Sequence, residues 1–119
     1  MILIIEDDER VAKGLATLTR LHGHQVHVAN GGERGIELAR EIRPELILLD
    51  ISMPEMDGYH TCRRLRAEPY CASATIIALT GWGQDADREQ TRSAGFDLHW
   101  VKPIDPHLLM TLPGIVRAR

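Results

Sequence analysis

The sequence predicts an α/β protein: a doubly wound, five-stranded parallel sheet with helices on both faces. Two observations carry this. Short apolar runs alternate with amphipathic stretches along the whole of the 119 residues, and Gly or Pro closes most of the stretches. Strands alternating with helices in this way form parallel sheets joined by crossover helices. The length is that of one domain, taken as residues 1–119, and suffices to bury a core without disulfides or metals as staples.

Taken in order, Met1 to Ile5 (MILII) is wholly apolar, as a strand buried on both faces requires. From Glu9 to Leu21 the apolar residues Val11, Leu15, Leu18 and Leu21 recur at helical spacing, and Gly23 can end that helix in a left-handed turn. Gln25 to Ala29 (QVHVA) alternates, which suits a strand near the sheet edge. Gly31 and Gly32 turn the chain into a second helix, Glu33 to Ile42, with Ile36, Ala39 and Ile42 inward and Pro44 as its stop. Leu46 to Leu49 (LILL) is the most apolar run and predicts a central strand ending at Asp50. A loop rich in Pro, Gly and Asp comes next (SMPEMDG), then a helix from Tyr59 to Arg66. Thr75 to Leu79 predicts the fourth strand, Gln84 to Ala94 a helix stopped by Gly95, and Leu98 to Val101 a short fifth strand. Asp105 or Pro106 opens the last helix, whose stripe is Leu108, Leu109, Leu112 and Val116. Pro113 and Gly114 fall inside that stripe, so the helix should be short or kinked.

Composition excludes several classes. The net charge of −3 argues against a nucleic-acid module, which needs a basic face to offset phosphate repulsion. No apolar run approaches the roughly 20 residues of a membrane span, and no basic leader precedes the first apolar stretch. A cytoplasmic protein without membrane insertion is the expectation. Cys62 and Cys71 are too few for a stapled scaffold or a structural zinc site and read as free thiols.

Ligands of a doubly wound sheet sit beyond the carboxyl ends of its strands. There the first strand delivers Glu6, Asp7 and Asp8, the third Asp50, the fourth Thr80, and the fifth Lys102 followed by Pro103. The second delivers only Asn30 and glycines, as the outermost strand of an order 2-1-3-4-5 should. Carboxylates gathered this closely repel one another, so some must be protonated or a cation must neutralise them. With no imidazole or thiol among them, the donor set favours a hard ion: Mg²⁺ above all, with Mn²⁺ as a substitute. Such an ion draws in a phosphoryl group, while Lys102 and the Thr80 hydroxyl take its other oxygens. A carboxylate can itself accept the phosphoryl group, and Asp50, alone at the end of the central strand, is the natural acceptor.

These residues resemble the response-regulator receiver domains of two-component signalling over essentially the whole chain. The matching pieces are IIEDD at 4–8, LILLDISMPEMDG at 46–58, ALTG at 78–81 and VKP at 101–103, with Thr80 thirty residues after Asp50 and Lys102 fifty-two after it. The resemblance implies a flavodoxin-like fold and Asp50 as the phosphorylation site. It implies Mg²⁺ bound by Asp7, Asp50 and the backbone carbonyl of Ser52, with Glu6 acting through a metal-bound water. It implies that Thr80 and Lys102 read the phosphorylated state and that the Lys102–Pro103 bond is cis. His99 occupies the family's switch position, which is commonly aromatic, and is a departure there. The phosphodonor it implies is a sensor histidine kinase or a histidine phosphotransfer protein. Asp8 falls just past the acidic pair and reads as a helix cap.

Other features have plainer readings. His22, His24 and His27 fall in a surface turn at the opposite rim of the sheet, away from further ligands. Trp100 should be half-buried on the last strand, and Trp82 exposed on the loop after Thr80. A phosphatase with an Asp50 nucleophile, like the haloacid dehalogenase group, would carry a second aspartate two residues on, where Ser52 stands. A flavin module would need a Gly- and Ser/Thr-rich phosphate loop after the first strand, where three acids stand instead. A regulatory phosphoacceptor rather than an enzyme is therefore the expectation. The chain carries no output domain, so it acts through a partner surface or is part of a longer protein. LTGWGQ and AGFD resemble receivers attached to hybrid sensor kinases, and both alternatives stay open.

Overall fold

The structure, a computed structural model, describes residues 1–81, 88–112 and 114. Strands β1 (Ile2–Ile5), β2 (Val26–Ala29), β3 (Leu46–Asp50), β4 (Thr75–Thr80) and β5 (Leu98–Val101) form one parallel sheet in the order β2-β1-β3-β4-β5. Helices α1 (Glu9–Leu21), α2 (Gly32–Ile42), α3 (Gly58–Arg66), α4 (Arg88–Ala94 as described) and α5 (Pro106–Leu109) cover it. The expected class and strand order are what the chain adopts.

The apolar runs are apolar because both faces of β1, β3 and β4 are covered: every residue in them is buried. Alternate side chains feed two cores. Leu3, Ile5, Ile47, Leu49, Ile76 and Ala78 pack on one face beside α2 and α3 residues, whereas Ile2, Ile4, Leu46, Leu48, Ile77 and Leu79 pack on the other with α1 and α5 residues. Each fully buried Leu or Ile contributes about 2 kcal/mol of transfer free energy.

Local signals set the helix ends. Asp8 accepts from the Arg10 and Val11 amides at 2.9 and 3.3 Å, the expected cap of α1. Asp57 caps α3 through the His60 amide, and Asp105 caps α5 with Pro106 in its first turn. Gly23 ends the α1 turn at φ +89°, a conformation that glycine adopts without strain.

Several expectations need correction. Leu21 is 76% exposed, because α1 rests on the sheet through Ala12, Leu15, Ala16 and Thr19, and Leu21 falls on the opposite side of the helix. Trp100 is buried at 7% exposure rather than half-buried, since it points into the α1–α5 core from β5. A short 3₁₀ turn at Pro69–Cys71 has no counterpart in the sequence reading; Pro69 fixes its first residue. Of the last helix Pro106–Leu109 is described, and the expected break at Pro113 falls outside the described residues. Trp82, Gly83, the expected fourth-helix start at Gln84, Pro113 and Val116 lie outside the described residues.

Arg66 fastens the sheet's entry side. Its guanidinium donates to the carbonyls of Gly95, Cys71 and Ala74 and to Asp97, whose carboxylate also accepts from the Ile76 amide at 2.9 Å. One side chain from α3 thereby fixes where both β4 and β5 begin, and hence where Thr80 and Lys102 emerge. Cys62 and Cys71 are free, buried thiols whose pKa values burial pushes up to about 12 and about 11, which leaves them protonated and inert.

Candidate functional site

The carboxyl edge of the sheet gathers the acids, the hydroxyl and the lysine expected there. In-register pairing sets Leu49 beside Ile5 and Asp50 beside Leu79, so the chain leaves β1, β3 and β4 at nearly one level. Glu6, Asp7 and Asp50 each bring a carboxylate oxygen within 4.8 Å of the others. Glu6 and Asp50 are 1% and 2% exposed, so their charges face each other with little water between them. Lys102 reaches across from β5, donating to Glu6 at 2.8 Å and lying 3.3 Å from Asp50. The Lys102–Pro103 peptide is cis.

Three carboxylates against one ammonium leave the cluster negative. Burial raises the Glu6 pKa above its ordinary 4.5, contact with Asp50 raises it further, and Lys102 offsets only part of this. Desolvation works against the charge on Lys102, but its bond to Glu6 and its attraction to Asp50 outweigh it and raise its pKa. The donor set itself fits a hard divalent cation: carboxylate oxygens only, converging and under-neutralised. It is the one such group of three or more among the described residues; His22, His24 and His27 form none, and the His22 ring bonds the Leu18 carbonyl. Ser52 comes just after β3 on the surface, with its amide 3.2 Å from an Asp50 oxygen.

Glu6 makes stability depend on pH. A carboxyl whose folded pKa is raised holds its proton in the native state at a pH where the unfolded chain has lost it. Its stabilising contribution is present at low pH and is lost as pH rises from 4.5 through the folded value. In chelator, Glu6→Gln is therefore expected to gain melting temperature over the native sequence progressively above that pH. Parallel curves for the two proteins would show that Glu6 does not carry the repulsion.

Thr80 stands apart from the acids. It is 1% exposed and shares the β4 face of Ile76 and Ala78 rather than that of Ile77 and Leu79, so its hydroxyl points towards the α4 side. There its Oγ1 lies 2.8 Å from His99 Nε2 and 3.5 Å from the Trp100 carbonyl. Among the described residues its hydroxyl bonds neither Asp50 nor Lys102, although its backbone carbonyl accepts from the Lys102 amide at 2.6 Å. Sequence reasoning placed both Thr80 and His99 but missed their direct bond. The β4–β5 register, which pairs Ala78 with His99 and Thr80 with Val101, was the signal that could have found it. Gly58 was also missed: a Cβ there would run into the Asp50 carbonyl oxygen and lie 2.6 Å from the Ile51 Cα, so only glycine lets α3 start against the end of β3.

Fold and site together define a flavodoxin-like α/β protein with acids, a hydroxyl and a lysine at the carboxyl end of its sheet. The chain belongs to the response regulator receiver domain family, whose model matches residues 2–112. Membership implies phosphoacceptance in two-component signalling. The transcriptional regulatory protein AfsQ1 of Streptomyces coelicolor is 38% identical over 91% of this chain, which spans 47% of that protein. Protein PilH of Pseudomonas aeruginosa is 31% identical, with 98% of this chain and 97% of PilH covered. The signal receiver domain of a signal transduction histidine kinase from Syntrophus aciditrophicus superposes with a TM-score of 0.85 at 30% identity, covering 98% of this chain and 89% of that one. The chain thus spans about half of the first curated relatives and nearly all of others. Among the described residues no helix is long and apolar enough to cross a membrane.

Proposed function

We propose that residues 1–119 work as one cytoplasmic receiver unit that takes a phosphoryl group onto Asp50 and passes the change to a partner protein. The observation that carries this is the buried Asp50 carboxylate held between two further acids and the Lys102 ammonium. An Asp50 oxygen attacks the phosphorus of a phosphohistidine on a sensor kinase or phosphotransfer protein. The P–N bond breaks, an acyl phosphate forms, and the departing imidazole takes a proton from solvent. Asp7, Asp50 and the Ser52 carbonyl would hold Mg²⁺, or Mn²⁺ in its place, with Glu6 holding its water. Bound there, the ion neutralises charge developing on the phosphoryl oxygens. Lys102 turns from Glu6 and Asp50 to a phosphoryl oxygen, and the Thr80 hydroxyl takes another.

A protein donor is favoured by the groove beside the site. Val11, Leu15, Leu18, Pro103 and Ile104 line a mainly apolar trough between α1 and the loop after β5, to which Arg10 and Lys102 add two cations. An apolar helix face covers such a lining, which a small anionic donor would leave exposed. One relative is named a DNA-binding regulator, but this chain spans only 43% of it, and we assign no nucleic-acid or membrane contact to the receiver unit.

The test is incubation with Mg²⁺ and a phosphorylated histidine kinase or phosphotransfer protein, with intact-mass spectrometry as the readout. One phosphoryl group per chain, slowly lost, is the expected result. Sustained hydrolysis of a phosphomonoester would instead favour a phosphatase.

A further inference from the structure

We propose that His99 is a positioning residue that holds the Thr80 hydroxyl on the β5 side of the sheet, so that a phosphoryl group on Asp50 must compete with the imidazole for it. This rests on the proposed roles of Asp50 and Thr80. The contact is short and part-buried: Thr80 Oγ1 lies 2.8 Å from His99 Nε2, and Thr80 is buried. A hydroxyl has one proton to give, and phosphoryl oxygens only accept. If Nε2 carries the lone pair, that proton is spent on His99. If Nε2 carries a proton, the hydroxyl accepts from it and turns its own towards the Trp100 carbonyl, 3.5 Å away. Either way the hydroxyl is engaged on β5, and it must leave the imidazole to serve Asp50, whose side chain belongs to the other face of the sheet.

The bond therefore enters the switching equilibrium as a term favouring the resting arrangement. A phenyl ring at position 99 could offer no such acceptor or donor. The imidazole is also reachable: half-exposed, it lines a groove with Arg88, Arg92 and Leu98 between α4 and β5. By linkage, whatever draws His99 away from Thr80 raises affinity for the phosphoryl group by the same factor.

The probe is beryllofluoride, a phosphoryl mimic, titrated with saturating Mg²⁺ while the Gly81 amide is followed by NMR. A neutral hydrogen bond lost from the resting state corresponds to roughly three- to tenfold tighter binding, and His99→Leu should show it. His99→Gln, whose amide nitrogen reaches about as far as Nε2, should restore the native affinity. In a Thr80→Val background, His99→Leu should change nothing, because the partner of the bond is gone. The ring nitrogen shifts of His99 should move on adding beryllofluoride and should be moved likewise by Thr80→Val alone. Equal affinities of the native and His99→Leu proteins would overturn the proposal, as would tightening that persists in the Thr80→Val background or that His99→Gln shares. Failure of the native protein to bind beryllofluoride at all would instead overturn the reading of the site, and the latch with it.

Discussion

Removing divalent cations is expected to stop phosphorylation and to lower the melting temperature by about 10 °C relative to protein in saturating Mg²⁺. The figure rests on mass action: a ligand that binds only the folded state adds about 2.7 kcal/mol at a hundred times its dissociation constant. For a domain of this size each kcal/mol moves the midpoint by roughly 4 °C. The source of the effect is the unbalanced charge of Glu6, Asp7 and Asp50, whose oxygens lie within 4.8 Å of one another with Lys102 as the cation beside them. Asp7→Ala should flatten the response to Mg²⁺ and, by removing one repelling carboxylate, raise the midpoint measured in chelator. Differential scanning fluorimetry of both proteins, with and without Mg²⁺, checks this. A native melting curve that saturating Mg²⁺ leaves unmoved would contradict the cation site.

The second large effect concerns the backbone at Asp50. Gly58→Ala is expected to cost about 3 kcal/mol of stability and to slow phosphorylation of the surviving folded protein about a hundredfold. The added methyl would meet the Asp50 carbonyl and the Ile51 Cα, and backbone cannot swing aside as a flexible side chain can. Either α3 lifts or the end of β3 shifts, and Asp50 shifts with it. Gly14→Ala is the control for stability alone, because a Cβ there meets nothing within 4 Å. It should stabilise by about 0.5–1 kcal/mol, the usual gain of alanine over glycine within a helix. Urea denaturation of the two variants separates the outcomes. A Gly58→Ala protein as stable and as reactive as the native one would show that the contact is not confining.

Most of the site was legible in the sequence because its residues stand at the ends of strands, and strands covered on both faces announce themselves as unbroken apolar runs. The two positions after Ile5 and the single ones after Leu49, Leu79 and Val101 are enough to collect Glu6, Asp7, Asp50, Thr80 and Lys102. Features that stayed hidden depend on neighbours distant in sequence. The Thr80–His99 bond needs the β4–β5 register, and the clash at Gly58 needs the path of the chain past Asp50. Arg66 reads locally as one more surface cation of α3, since nothing nearby in sequence tells that it meets carbonyls from later segments. Leu21 was misjudged because it follows Leu18 at helical spacing, whereas the stripe that α1 buries runs through Ala12, Leu15, Ala16 and Thr19, on the other side of the helix.

Phosphorylation is expected on Asp50 and on no other residue. An acyl phosphate, unlike a phosphoester, is reduced by borohydride to an alcohol, which turns a phosphorylated aspartate into homoserine. The deciding measurement is tandem mass spectrometry of the protein phosphorylated in Mg²⁺, treated with borohydride and digested. Homoserine at position 50, and none anywhere in an Asp50→Asn variant that remains folded, is the predicted result. Homoserine at Asp7 or another acid, or phosphorylation that survives in Asp50→Asn, would contradict it.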